Sequence, residues 1–263
     1  MILLTGGGSI ANAFSQLYPC KIISARFVND EILASNIEAA DVIIHNAAII
    51  KCDELSTYID SNFGLTKRIL EIAKDVKPSV KFINISTMSL LEQDKNYLNP
   101  AEMTDYAFSK YISELYCLRH SLESICNVRF STIFYGDPNK DGLSKLAYDG
   151  IVTNKILIYN NGEALRDFIP VDIAVKYLYK LIQTDILPKK INIVSGRATS
   201  FNHFVNKIVA INPKVEIVNM ICETKSVLCD FSKEGIYQLG EIQFSMDKLF
   251  EEYIIKLNED FNL

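Results

Sequence analysis

The chain opens Met1-Ile2-Leu3-Leu4-Thr5-Gly6-Gly7-Gly8-Ser9-Ile10-Ala11, an apolar run, three glycines and then a helical pattern. Four apolar residues and a threonine, stopped by glycines, suit a short buried strand, and the glycines turn the chain tightly into a helix. The same alternation recurs. Residues 21–25, 41–45, 81–86 and 127–133 read as further strands, and 53–73 and 102–120 carry apolar residues at three- and four-residue spacing, as crossover helices do. Strand–helix alternation of this kind builds a parallel sheet buried on both faces.

The expected architecture is a Rossmann-type, doubly wound α/β sheet over residues 1–136, with a small mixed α/β substrate-binding lobe over 137–263, interleaved with the sheet. Residues 26–41 are too few for a helix, a strand and a second helix, so one strand of this half is expected to be lost or abbreviated. Beyond Gly136, helices at 144–153, 172–184, 201–211 and 246–257 mix with short strands near 156–159 and 191–194.

Nearly half of the residues are apolar, and a formal charge of -5 carries no basic cluster, which argues against nucleic acid or an anionic membrane as partner. Six cysteines, at 20, 52, 117, 126, 222 and 229, form no C-x-x-C pair, and His45, His120 and His203 lie far apart. The cysteines read as small buried thiols, and no metal is expected. With no apolar run near the ~20 residues of a membrane span, and a first strand that leaves no room for a leader, a cytoplasmic location is expected.

Two motifs carry chemistry. Gly6, Gly8 and Ala11 fit G-x-G-x-x-A directly behind a strand, where backbone N–H groups of Gly6, Gly8, Ser9 and Ile10 can approach a pyrophosphate at a helix N-terminus. An NAD site usually follows with an acid at the end of the second strand. Ser24-Ala25-Arg26 stands there instead, and a hydroxyl with a guanidinium suits a 2′-phosphate, so NADP is preferred over NAD. The second motif is Tyr106-Ala-Phe-Ser-Lys110, whose spacing puts phenol and ammonium on one helix face. With 13 tyrosines in the chain, about one Tyr-x-x-x-Lys is expected by chance. Order and context therefore decide.

In that order the chain resembles the extended short-chain dehydrogenase/reductase family of nucleotide-sugar epimerases, dehydratases and ketoreductases. The resemblance runs through the glycine turn, His45-Asn46-Ala47-Ala48, Asn62, Ile85-Ser86-Thr87, Tyr106-x-x-x-Lys110 and Arg166-Asp-Phe-Ile-Pro-Val-Asp172. It implies that Tyr106 exchanges a proton with the sugar, that Lys110 holds the nicotinamide ribose, and that Thr87 bonds the reacting oxygen, with Ser86 its less favoured neighbour. It also implies cofactor contacts from Asn46, Ala47, Ala48 and Ser86, and substrate contacts from Thr132 and Arg166, the last clamping a diphosphate. A charge ~4 Å away at an effective dielectric of 20 is worth up to ~4 kcal/mol, so Lys110 is expected to draw the Tyr106 pKa down toward neutrality.

Two departures matter. Pro170 replaces a histidine of the family's segment, and Met88-Ser89 replace the Asp-Glu with which family dehydratases expel a hydroxyl. The resulting expectation is an NADP-preferring ketoreductase of a nucleotide-linked keto-sugar. The alternatives are an epimerase retaining NAD+ and a non-catalytic dinucleotide sensor. A homodimer is expected through the helices at 53–73 and 102–120, with Tyr111, Leu115 and Leu118 as its apolar surface.

Overall fold

The computed structural model describes residues 1–92, 96–222 and 232–261; Cys229 lies outside them. Six parallel strands form the central sheet in the spatial order Lys190–Ile193, Ile125–Phe130, Lys81–Thr87, Val42–His45, Ile2–Leu4 and Lys21–Ile22. From Ile2–Leu4 the chain first adds a strand on one side and then crosses to the other. That reversal opens a crevice at the carboxyl ends of the strands, beside Thr5 and His45.

Composition explains the burial. Val42–His45 and Ile125–Phe130 are buried at every position, as strands covered on both faces must be. On one face the helices Ser9–Leu17 and Val171–Ile182 pack together, with Tyr18 stacked on Tyr179 at 3.8 Å. On the other lie Asp30–Glu38, Leu65–Val76 and Asp105–Arg119, whose apolar stripes close over Leu3, Ile43 and Phe82.

The abbreviated strand is visible. Among the described residues the sheet ends at Lys21–Ile22, and the next element is the helix Asp30–Glu38, capped by Asn29, whose Oδ1 accepts from the Ile32 N–H at 2.9 Å. Two elements from beyond Gly136 belong to the main sheet and its cover. Lys190–Ile193 is the sixth strand of the main sheet, paired in register with Asn127–Phe130, and Val171–Ile182 covers that sheet. A four-residue strand, Lys-Ile-Asn-Ile, carries no sign of which partner it will meet, so sequence order alone assigned it to the later lobe. The remainder is a three-stranded sheet (Thr132–Phe134, Leu165–Pro170, Ala198–Ser200), a parallel pair (Lys155–Tyr159, Glu216–Met220) and the helices Gly142–Val152, Phe201–Ile211 and Met246–Phe261 around Phe168, Phe204 and Phe250.

Candidate active site

The glycine turn meets the crevice directly. A Cβ on Gly6 would lie 2.9 Å from Ala47, so only glycine lets the first and third strands approach there. Asn46 seals that contact from both sides: its Oδ1 accepts from Gly6 N–H at 3.1 Å and its Nδ2 donates to Gly6 O at 2.8 Å. Gly7 and Gly8 face open space, and no side chain caps the helix Ser9–Leu17 that follows. The first-turn N–H groups, Ser9 and Ile10 among them, therefore remain available to an anion.

A buried polar chain ties this turn to the Tyr-Lys helix. Thr5 Oγ1 meets His45 Nδ1 at 2.7 Å, and His45 Nε2 meets Thr66 Oγ1 at 3.0 Å. Thr66 spends its own proton on Asn62 O at 2.7 Å, so His45 must donate from Nε2 and accept at Nδ1. The ring is neutral, its pKa lowered to about 3 by burial first and then by the charges of Lys110 and Arg26. Asn62, carried on the wide turn Ile59–Gly64, accepts from Ile49 N–H at 2.7 Å and donates to Ser109 Oγ at 2.9 Å. Ser109 in turn donates to Tyr106 O at 2.7 Å. Nothing at sequence level revealed Thr66 or Ser109 as links, because each bond spans distant segments.

Tyr106 stands in the first turn of Asp105–Arg119, capped by Thr104, whose Oγ1 accepts from the Ala107 N–H at 3.3 Å. Tyr58 touches its ring edge-on at 6.3 Å between centroids. Met88 and Ala107 share one apolar cluster, which draws the Thr87 strand end and the Tyr106 turn together. Thr87 Oγ1 donates to Ser89 Oγ at 3.1 Å, and Ser86 Oγ is buried without a partner among the described residues.

The expected depression of the Tyr106 pKa is not found. Burial, and secondarily Tyr58, raise it to about 12, and Lys110 is not among the groups acting on it. Lys110 is itself only 2% exposed, and burial lowers its pKa to about 8, against the opposing effects of Cys117 and Glu114. Its ammonium has no hydrogen-bond acceptor among the described residues. Desolvation of both groups outweighs the attraction assumed from spacing alone.

Behind the helix lies an ion pair that the sequence reading missed. Arg129 donates to Glu114 from Nε and from Nη2, the latter at 2.6 Å, and also to Tyr97 Oη at 2.8 Å, while Tyr97 donates to Glu114 at 2.9 Å. Glu114 follows Lys110 by four residues on the same face, the one signal that could have found it.

Arg166 lies on the strand Leu165–Pro170 beside Thr199 and donates to Leu165 O at 2.7 Å. Neither neighbouring acid holds it. Asp167 is buried and accepts from Ser195, Gly196 and Arg197, and Asp172 pairs with Lys176. Thr132 is exposed on the adjacent strand, in register with Phe168. Ser24 and Arg26 are exposed at the end of the second strand, and Ala48 is half-buried beyond the third.

The model of the NAD-dependent epimerase/dehydratase family matches residues 8–194. The chain belongs to that family. Its members are NAD-dependent enzymes of the extended short-chain dehydrogenase/reductase type, and the chain is an enzyme of that kind. Among solved structures, the tunicamycin-biosynthesis protein TunA, an NAD-dependent NDP-hexosamine 5,6-dehydratase, is 20% identical with a TM-score of 0.80, over 98% of this chain and 96% of that one. The UDP-glucose 4-epimerase of Thermotoga maritima, solved with UDP-glucose, is 18% identical with a TM-score of 0.79, over 98% and 99%. RMD from Pseudomonas aeruginosa, solved with NADPH, is 15% identical with a TM-score of 0.78, over 98% and 99%. At these identities the likeness is one of fold. No helix among the described residues is long and apolar enough to cross a membrane.

Proposed function

We propose that the enzyme reduces a nucleotide-linked keto-sugar, as a C4-ketoreductase does, using NADPH in preference to NADH. The observation that carries this reading is the state of Tyr106: a phenol whose pKa is raised to about 12 is held protonated, the form that donates to a carbonyl oxygen. No carboxyl follows Thr87, since Met88 is buried and Ser89 is an exposed hydroxyl, so dehydration lacks its acid.

The residues fit a dinucleotide. Gly7 and Gly8 leave a cradle, the helix behind them is uncapped, and the Lys110 ammonium lacks an acceptor that ribose hydroxyls would supply. Bound NADPH would supply the hydride to the carbonyl carbon. Tyr106 donates its proton to the oxygen as the C=O π bond breaks, and the phenolate left behind regains a proton from solvent before the next turnover. Thr87 orients the same oxygen, and Ser86 and Asn46 line the cofactor side. Arg166, without a carboxylate partner among the described residues, suits a substrate diphosphate. Arg26, exposed beside the glycine turn, supports the 2′-phosphate.

The small lobe over residues 137–263 would then close on the sugar. A cytoplasmic homodimer is part of this reading, through Leu65–Val76 and Asp105–Arg119. Leu118 is 40% exposed there, whereas Tyr111 is already engaged by Tyr97 at 4.9 Å.

The test is a panel of nucleotide 4-keto-sugars with NADPH, followed by absorbance loss, together with analysis of the cofactor that co-purifies. Consumption of NADPH with formation of the hydroxy-sugar supports the reading. Tightly held NAD+ with interconversion of hydroxyl epimers and no net cofactor use would overturn it in favour of the epimerase.

A further inference from the structure

Residues 49–52 follow Ala47, which abuts Gly6 at the crevice, and they form neither helix nor strand. Their backbone groups must therefore find partners outside the sheet. Two side chains supply them. Asn62 accepts from Ile49 N–H at 2.7 Å and donates to Ile49 O at 3.1 Å. Tyr58 donates from Oη to Ile50 O at 2.9 Å and accepts from Cys52 N–H at 3.1 Å, so it grips the chain on both sides of Lys51. Both side chains come from one stretch: Tyr58 ends the short helix Leu55–Tyr58, and Asn62 sits in the wide, π-type turn Ile59–Gly64. Such turns are rare in helices and frequent at functional sites.

The hydroxyl is only one end of Tyr58. The side chain is buried, and its ring stands edge-on to the Tyr106 ring, with centroids 6.3 Å apart and planes at 62°. One rigid phenol therefore spans from the wall of the crevice to the reacting phenol. Thr104 and Ser109 fix the backbone of the turn that carries Tyr106, whereas the Tyr106 hydroxyl has no hydrogen-bond partner among the described residues. Packing alone sets the place of that half-buried ring, and Tyr58 is packed on it. Of the other titratable side chains, Tyr135, just past the strand Thr132–Phe134, interacts with Tyr106, whereas Lys110, one turn along the same helix, does not act on its proton affinity.

We propose that Tyr58 is a positioning residue of the proton transfer: its hydroxyl fixes the crevice wall at residues 49–52, and its ring fixes Tyr106 against that wall. The proposal rests on Tyr106 as the proton donor and adds to it what keeps that donor in place. The two ends of Tyr58 do separate jobs. Loss of the hydroxyl leaves Ile50 O and Cys52 N–H without the partner they have now and frees the wall, with the ring contact intact. Loss of the ring as well opens a flank of Tyr106 to water and relieves the burial that raises its pKa to about 12.

Tyr58→Phe and Tyr58→Leu, made in the full chain, separate the two jobs. Turnover is followed by NADPH absorbance with nucleotide 4-keto-sugars, dTDP-4-keto-6-deoxyglucose among them, and NADPH affinity by calorimetry. Tyr58→Phe should lose ~10–10²-fold in turnover, the size of effect that a misplaced reacting group produces, with NADPH affinity unchanged. Ionisation of Tyr106 is read without substrate, as the phenolate absorbance of each protein minus that of its Tyr106→Phe counterpart. In the parent and in Tyr58→Phe no phenolate should appear below about pH 11, whereas in Tyr58→Leu it should appear with a midpoint of about 10. Normal turnover in Tyr58→Phe, or an NADPH affinity that falls in step with turnover, would overturn the positioning role and leave Tyr58 a packing residue. A Tyr106 that titrates alike in all three proteins would overturn the part given to the ring. Should Tyr58→Leu not fold, the turnover of Tyr58→Phe against its NADPH affinity decides. A parent that reduces no keto-sugar would defeat the ketoreductase reading instead, and the titration then decides the role of Tyr58.

Discussion

Lys110 should make the protein without cofactor less stable than a version lacking it. The side chain is 2% exposed and its ammonium lacks an acceptor, so burial draws its pKa from 10.5 to about 8. At ~1.4 kcal/mol per pK unit that shift corresponds to a cost of ~3 kcal/mol for holding the charge. Below pH 8 the lysine is protonated in both folded and unfolded chains, and the whole cost is present. Between pH 8 and 10.5 only the unfolded chain keeps the proton, so the cost fades as pH rises. Lys110→Met keeps the volume and removes the charge. In urea denaturation without cofactor, the variant should therefore be more stable than the parent by ~2–3 kcal/mol at pH 7, by less at pH 9, and by almost nothing near pH 10.5. Added NADPH should reverse the order, since only the parent gains a charge-assisted bond. A Met variant no more stable at pH 7, or a difference that does not change with pH, would refute the argument that this ammonium is buried at a cost and kept for chemistry.

Three further outcomes follow from the same geometry. Tyr106→Phe should bind NADPH normally and lose ~10²–10⁴ in turnover, measured by stopped-flow and steady-state rates; near-normal turnover would remove the phenol from the reaction. Arg166→Ala should raise the Michaelis constant for the nucleotide-sugar far more than it lowers the turnover number, because a diphosphate clamp acts alike in ground and transition states; a loss of cofactor affinity instead would reassign the residue. Glu114→Gln should cost ~3–5 kcal/mol by urea denaturation, because Arg129, 3% exposed, would keep its charge without its carboxylate, whereas Tyr97→Phe should cost only ~1 kcal/mol. Equal effects of the two substitutions would contradict the ion pair as the centre of that cluster.

Local sequence determined much of this protein. The strand–glycine–helix opening, the short apolar runs, the three- and four-residue apolar spacing and the spacing of Tyr106 from Lys110 are properties of neighbouring residues, and neighbouring residues are what a linear reading can compare. Residues 26–41 were too few for another strand, a matter of chain length alone, and the sheet indeed ends at Lys21–Ile22. Tertiary structure decided what depends on contact between distant segments. The strand Lys190–Ile193 joined the main sheet because Asn127–Phe130 offered it an open edge, which no local pattern announces. Glu114 and Arg129 sit 15 positions apart and Thr5 and His45 40 apart, so their pairing appears only when distant elements are packed. The proton affinity of Tyr106 was misjudged from spacing for the same reason: a pKa answers to how much water the fold removes, and burial is a property of the whole packed chain rather than of a five-residue motif.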